Sequence, residues 1–272
     1  MKSLLKSAPP SAIFGMVVLV LVAITGLFAP WIAPYGETEV VGDAYLPWSG
    51  AHPLGTDNLG RDMLSRMIFG ARNTVGLALL TTAISFSVGA TLGMLAALKG
   101  GWLDEVLSRL VDVLMAVPPL ILALMLLAIV GPSIPNMVGV IAVIYVAPVY
   151  RLSRAAAMNV VGLDFVEAAK LRGERTPRLL WREILPNIWS TLIAEFGVRF
   201  CFVFLFIAAL SFLGIGIQPP TADWGSMVKE NATLISFGDI TPLIPAAAIA
   251  LLTVAINLIV DWMLHRASGL KS

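Results

Sequence analysis

A single cysteine, Cys201, and two histidines, His52 and His265, are all that this chain of 272 residues offers of those types. One thiol excludes an intrachain disulfide and a cysteine metal cluster. Two histidines are too few for a histidine-based metal site, and no His-Glu-x-x-His spacing occurs. No Gly-x-x-x-x-Gly-Lys-Ser/Thr phosphate loop occurs either, so the chain is not expected to bind ATP by itself. Neither histidine lies in an apolar run, which removes support for an intramembrane serine–histidine protease. Charge is scarce at 13%, and 18 basic residues stand against 17 acidic ones. A nucleic-acid binder would carry a clustered basic excess, which is missing here.

What is abundant is apolar side chain, at 58% of residues. A soluble domain carries about 45–50% even with glycine included. The mean hydropathy is +0.89. A water-soluble globule of this size has too little interior to bury that much, so a soluble enzyme is excluded, and so is intrinsic disorder. The solvent for most of the chain is expected to be lipid.

The apolar stretches set the architecture, because a helix crossing the hydrocarbon core needs about 20 residues. The first runs from Ile13 to Ala33, and the second from Asn73 to Leu98. Val113 to Tyr150 is too long for one crossing, and Gly131-Pro132-Ser133-Ile134-Pro135 divides it. The resulting fourth span, about Met137 to Arg151, is the shortest. A fifth runs from Ile188 to Leu213 and a sixth from Ile240 to Val260. Lys2 and Lys6 before an apolar run resemble a signal peptide, but the run is longer than a signal core and no small-residue cleavage site precedes Trp31, so it reads as an uncleaved span. The expected fold is therefore an all-α polytopic membrane protein with six transmembrane helices.

Basic residues orient it. With the N-terminus in the cytoplasm, Lys2, Lys6, Lys99, Arg109, Arg151, Arg154, Lys170, Arg172, Arg175, Arg178, Arg182, Arg266 and Lys271 fall inside, and only Arg61, Arg66, Arg72 and Lys229 outside. The predicted division is a cytoplasmic N-terminus 1–12, a first helix 13–34 and an extracytoplasmic loop 35–72. A five-helix core 73–264 follows with an inner loop 151–187, and then a cytoplasmic C-terminus 265–272. In the outer loop, Leu59, Met63, Leu64, Met67, Ile68 and Ala71 repeat at helical spacing with Arg61, Asp62, Ser65 and Arg66 opposite, and Asp57 or Asn58 is placed to cap the start. This predicts an amphipathic helix on the outer leaflet, against the bundle, or against a partner.

The inner loop is the most informative segment. Asp164 with Glu167 has capping-box spacing, and Gly173 suits a left-handed helix stop. Thr176-Pro177 reads as a cap followed by proline at the first helical position. A second short helix through Leu179, Leu180 and Ile184 is predicted to end at Pro186. Phe165, Ala168, Ala169 and Arg172 share a face, where the small pair Ala168-Ala169 permits close approach by another protein. The fifth span carries Glu195 and Arg199 at i and i+4. A mid-span arginine is costly, so the pair either faces a translocation path or closes on a neighbouring helix. Asp112 and Asp261 sit at inner span ends, with structural roles expected. Pro118-Pro119 predicts a kink in the third span. Cys201 and the scattered methionines read as packing.

Glu167-Ala168-Ala169, then Gly173, then Ile184-Leu185-Pro186-Asn187 resembles the EAA loop of ATP-binding-cassette (ABC) import permeases, in the dipeptide/oligopeptide/nickel branch. Independently, His52-Pro53-Leu54-Gly55-Thr56-Asp57 with Gly60-Arg61-Asp62 and Ser65-Arg66 resembles the outer-loop signature of that branch's C-type subunit. Gly214-Ile215-Gly216, Gln218-Pro219-Pro220 and Trp224-Gly225 resemble its segment after the fifth span. Two departures are Glu174-Arg175-Thr176, where small residues are usual, and Glu183, where histidine is common. The resemblance implies a type I ABC importer permease fold in the bacterial inner membrane, with a cytoplasmic coupling helix. Glu167, Ala168, Ala169, Gly173, Ile184, Leu185 and Pro186 would serve ATPase coupling. It implies a second homologous permease, two cytoplasmic ATPases that hold ATP and Mg, and an extracytoplasmic solute-binding protein; the chain itself is expected to hold no cofactor and to be no enzyme. An ion-gradient-driven secondary transporter is the alternative. It calls for an inverted repeat and paired midplane ionisable residues, and no such repeat is visible. A membrane-embedded enzyme would need a buried nucleophile or metal set, which is also not found.

Overall fold

The computed structural model describes residues 8–267. Lys2, Lys6 and Lys271 of the basic-residue count lie outside the described residues. Among those described there is no strand, only isolated bridges between Val40 and Arg61 and between Thr56 and Asp62. Ten helices carry the fold. They are α1 (Pro10–Leu27), α2 (Met63–Gly70), α3 (Gly76–Lys99), α4 (Gly101–Ala116), α5 (Pro119–Val130), α6 (Ile134–Val161), α7 (Asp164–Leu171), α8 (Leu185–Leu213), α9 (Trp224–Asn231) and α10 (Leu243–Ala267). Five helical stretches are long and apolar enough to cross a membrane, and six when the bent pair α4–α5 counts as one span.

Two spans differ from expectation. The Pro118-Pro119 kink is a full break: α4 ends at Ala116, α5 begins at Pro119, and the two meet at 91°. Proline at the start of α5 fits, because its missing N–H is unneeded there. The fourth span, expected to be the shortest, is the 28-residue helix α6, which continues through Pro148 and well past Arg151. Basic residues do not end it, because Arg151 and Arg154 each find an aspartate on α4.

The bundle is built round α3 and α6, which run parallel with their backbones in close contact. A Cβ on Gly89 would meet the Val146 carbonyl at 2.8 Å, and one on Gly93 would meet the Tyr150 carbonyl at 2.6 Å. This is small-xxx-small packing, in which two missing side chains let helices approach where lipid supplies no hydrophobic drive. Gly93→Leu is therefore expected to lower the thermal midpoint of the detergent-solubilised protein. Overpacking of this kind costs about 1–3 kcal/mol, and an unchanged midpoint would contradict the contact. On the other side α1 lies against α10, with Gly15 facing the Ala255 carbonyl. The main core draws on α5, α6, α8 and α10 through Leu127, Ile141, Phe204, Ile207 and Leu252. Much of the outer surface is apolar too, with Val17, Leu21, Val143 and Ile129 exposed. A surface of that kind suits lipid.

The bundle has two distinct ends. The loop end carries residues 28–62 and 214–242. The elbow end carries α7 and the turns on either side of it, together with the far ends of α3 and α6.

Candidate coupling site and the loop-end clasp

At the elbow end α7 starts one residue earlier than the capping box implies. Leu163 is the N-cap, in extended backbone, and Asp164 is the first helical residue, with no side-chain cap bond. Asp164 and Glu167 both lie in the first turn, where the helix dipole favours acids. The stop is as expected. Gly173 sits at φ 77°, its N–H donates to Lys170 at 2.9 Å, and the Glu174 N–H donates to Ala169 at 3.2 Å. These are the two bonds of a Schellman motif.

The second arm departs from expectation. Arg175, not Thr176, is the cap of the turn Thr176–Arg178. No helix ends at Pro186. A π-helical stretch, Leu179–Ile184, leads straight into α8, with Pro186 in its first turn. Proline lacks an N–H and crowds the carbonyl four residues back. Widening the turn to π geometry accommodates both effects without a break. The elbow is thus one short helix joined by a tight stop to a column that continues as the fifth span.

The expected coupling residues divide by exposure. Ala169 and Ile184 are fully buried and Leu185 is half-buried, whereas Glu167, Ala168, Gly173 and Pro186 are exposed. The pair Ala168-Ala169 is therefore split between outside and inside. Val166 on α7 joins Leu180, Ile184, Met94, Ala157 and Val160 in one cluster, which seats the helix on α3, α6 and α8. The face left open presents Phe165, Ala168, Arg172 and Leu171, the last 89% exposed. Leu171 was not singled out from sequence, although a leucine directly before Arg172-Gly173, off the buried stripe, was the available signal.

Glu195 and Arg199 do meet. The Arg199 Nε donates to Glu195 at 3.0 Å, and the guanidinium lies over the rings of Tyr145 and Phe202 at 5.7 and 5.6 Å. The side chains are 7% and 13% exposed. The pair is internally neutralised and shielded by aromatic faces, which lowers the cost of holding charge at this depth. Cys201 is buried in the bundle, and Asp112 pairs with Arg151. No group of three or more His, Cys, Asp or Glu among the described residues is arranged to hold a metal ion.

At the loop end the amphipathic helix lies against the bundle, with a cap other than the expected one. Its cap is Asp62, which accepts the Ser65 N–H at 2.8 Å, not Asp57 or Asn58. The helix runs through a π turn, Ala71–Val75, directly into α3. Both of its sides are covered: Met63 and Ala71 are buried in the main core with Met67 packed against it, and Arg61, Asp62, Ser65 and Arg66 opposite are enclosed as well, while Leu59, ahead of the helix, is exposed. The polar side is enclosed through charge pairing with a distant segment. Asp57 accepts the N–H groups of Leu59 and Arg61 at 2.8 and 2.9 Å and the Arg61 Nε at 2.7 Å. Glu230 of α9 takes Arg61 and Arg66, each at 3.2 Å. His52 reaches Asp62 at 3.1 Å. Beside this clasp Asp223 caps α9 and accepts from the Thr74 hydroxyl at 2.8 Å. Burial pushes the Asp223 carboxyl above the usual carboxylate range, against the pull of its hydrogen bonds. The Trp224 indole N–H donates to the Met67 carbonyl at 3.0 Å. The segment after the fifth span and the signature of the outer loop are therefore two halves of one structure.

The described residues thus form a bundle of five or six helices long and apolar enough to cross a membrane, with an elbow at one end and a clasp at the other. Residues 89–267 match the model of the "Binding-protein-dependent transport system inner membrane component" family. Residues 8–47 match the "N-terminal TM domain of oligopeptide transport permease C". The chain is 38% identical to the di/tripeptide transport system permease protein DppC of Pseudomonas aeruginosa, over 93% of this chain and 86% of that one. It is 36% identical to the dipeptide transport system permease protein DppC of Haemophilus influenzae, over 93% of this chain and 88% of that one. It is 34% identical to the glutathione transport system permease protein GsiD of Pectobacterium atrosepticum, over 92% and 83%. The chain belongs to the inner-membrane component family of binding-protein-dependent transport systems, as a C-type permease of the dipeptide/oligopeptide/nickel branch.

Proposed function

We propose that this chain forms one transmembrane half of an ATP-driven importer for di- or tripeptides or chemically similar small solutes. A second homologous permease supplies the other half. Two cytoplasmic ATPases bind ATP and Mg, and an extracytoplasmic solute-binding protein delivers the solute. The positive-inside distribution supports a cytoplasmic elbow end, with Lys170, Arg172, Arg175, Arg178 and Arg182, and cytoplasmic termini.

The observation that carries this reading is the two-sided character of α7. Val166 and Ala169 are sunk into the bundle while Phe165, Ala168 and Leu171 face outward. An apolar face on a short stiff helix, held against the spans, transmits a displacement that a flexible loop would absorb. Within the ATPase-coupling set, Glu167, Ala168 and Pro186 take the partner-facing positions, Gly173 sets the angle, and Ala169, Ile184 and Leu185 root the elbow. Leu171→Asp is the direct test. Burying a leucine contributes about 1.5–3 kcal/mol, so the ATPase affinity is expected to fall roughly ten- to hundredfold. ATP-dependent uptake falls with it, and the bundle keeps its thermal midpoint because Leu171 touches little of it. Full ATPase retention on a purified complex would refute the docking face.

Glu195 and Arg199 close on Tyr145 of a neighbouring helix and on Phe202, so a pathway role falls to the small part of Arg199 left uncovered. The double variant Glu195→Gln/Arg199→Leu removes both charges without orphaning either. Its uptake is expected to show a changed KM in an intact complex, and unchanged kinetics would take the pair off the pathway.

A further inference from the structure

The helix α4 is built unlike the other long helices. Only Val111 of its 16 residues is fully buried. Trp102, Val106, Leu110 and Val113 point outward. It grips the bundle through a small apolar patch, Leu107, Val111 and Leu114 against Ala96 and Ala147, and through a polar stripe, Asp104, Ser108 and Asp112 at i, i+4 and i+8. Asp104 is paired with Arg154 of α6 through both carboxylate oxygens. Ser108 meets the Tyr150 hydroxyl at 3.0 Å, and Asp112 pairs with Arg151. Three residues spread over two turns of α4 thus reach a single turn of α6, so the helices cross. Both ends of α4 are articulated. Gly100 and Gly101 have φ of 60° and 59°, and Pro118-Pro119 forms the 91° break. The partner helix α6 is fixed by contrast, locked to α3 at Gly89 and Gly93, and it leads within three residues into α7.

We propose that α4 is the moving gate of the elbow end, latched shut on α6 by the two aspartate–arginine pairs. The inference rests on the importer reading above and adds a moving part to it. The pairs suit a latch. Arg151 and Asp112 are 52% and 49% exposed, and Arg154 and Asp104 are 29% and 21% exposed. Ion pairs this close to water exchange a partner for solvent at little cost and re-form, which a buried apolar contact does not do. A displacement arriving through α7 shifts α6 together with α3, to which it is locked, relative to α4. The latch opens, and α4 swings on its glycine and proline hinges.

The test uses the complete transporter in vesicles, with the chain carrying Asp104→Cys, Arg154→Cys and Cys201→Ala. A bifunctional thiol linker cleavable by reductant joins the two positions. The gate predicts that ATP-dependent uptake drops to the ATP-free background when the link is closed and returns when it is cleaved. Uptake unaffected by a closed link would overturn the proposal. If the cysteine variant does not transport even unlinked, the exchange Asp104→Arg/Arg154→Asp decides, compared with each single change. Uptake restored in the exchange supports the latch, and an exchange as impaired as the singles in assembled complexes overturns it. A wild-type complex without ATP-dependent uptake would count against the importer reading, not against the gate.

Discussion

Asp57→Ala is expected to cost the protein about 3–5 kcal/mol, the cost of orphaning one side of a buried ion network. Asp57 is fully buried, holds Arg61 at 2.7 Å and faces the Arg66 Nε at 3.3 Å. Without it two enclosed guanidinium groups share Glu230 alone. The loss also removes the acceptor for the Leu59 and Arg61 N–H groups, so the turn before α2 opens together with the charge cluster. Asp57→Asn keeps an acceptor for the turn but not the charge, and should fall between wild type and alanine. Thermal unfolding in lipid nanodiscs reads the stability, and limited proteolysis of residues 42–62 reads the local opening. An alanine variant with wild-type midpoint and protection would show that the clasp holds nothing.

Gly173→Val is expected to leave the bundle intact and to disable transport. A Cβ at this position meets no neighbour, so the penalty comes from the backbone alone. A β-branched residue held at φ 77° costs about 1–3 kcal/mol. The chain escapes it by abandoning the Schellman stop. The angle between α7 and the column leading into α8 then changes, while Val166 and Ala169 still root the helix. Gly173→Asn should retain more uptake, because asparagine tolerates the left-handed region. The readouts are the yield of assembled complex, expected to be normal for both variants, and ATP-driven uptake, expected to be strongly reduced for valine. Normal uptake with valine would mean that the angle at this stop does not matter.

The spans were legible because lipid imposes one rule, a sustained apolar run, and that rule is local in sequence. The Gly173 stop was legible for the same reason: few residues other than glycine take that conformation easily, and the bonds it closes lie within five positions. The elbow's second arm was misread at Pro186, where the π turn removes the conflict that would end a helix. The clasp was legible on its apolar side only, where Met63 and Ala71 enter the core. Helical periodicity reports that Arg61, Asp62, Ser65 and Arg66 share a side, but not whether that side meets water or an opposite charge. The partner that decides it, Glu230, lies more than 160 positions further along. The polar stripe Asp104, Ser108 and Asp112 was visible at four-residue spacing, yet its meaning depends on Arg151 and Arg154, which also serve the positive-inside pattern. Pairings across the fold are what composition and period leave open.

The central claim is that the elbow receives work from a separate nucleotide-hydrolysing partner. The chain, purified with its partner subunits and reconstituted in sealed vesicles with a binding protein and labelled dipeptide outside, tests it most directly. Uptake should require ATP on the elbow side, proceed without any ion gradient, and disappear with Leu171→Asp. Accumulation driven by a proton or sodium gradient in the absence of ATP would contradict the account and mark the chain as a secondary transporter.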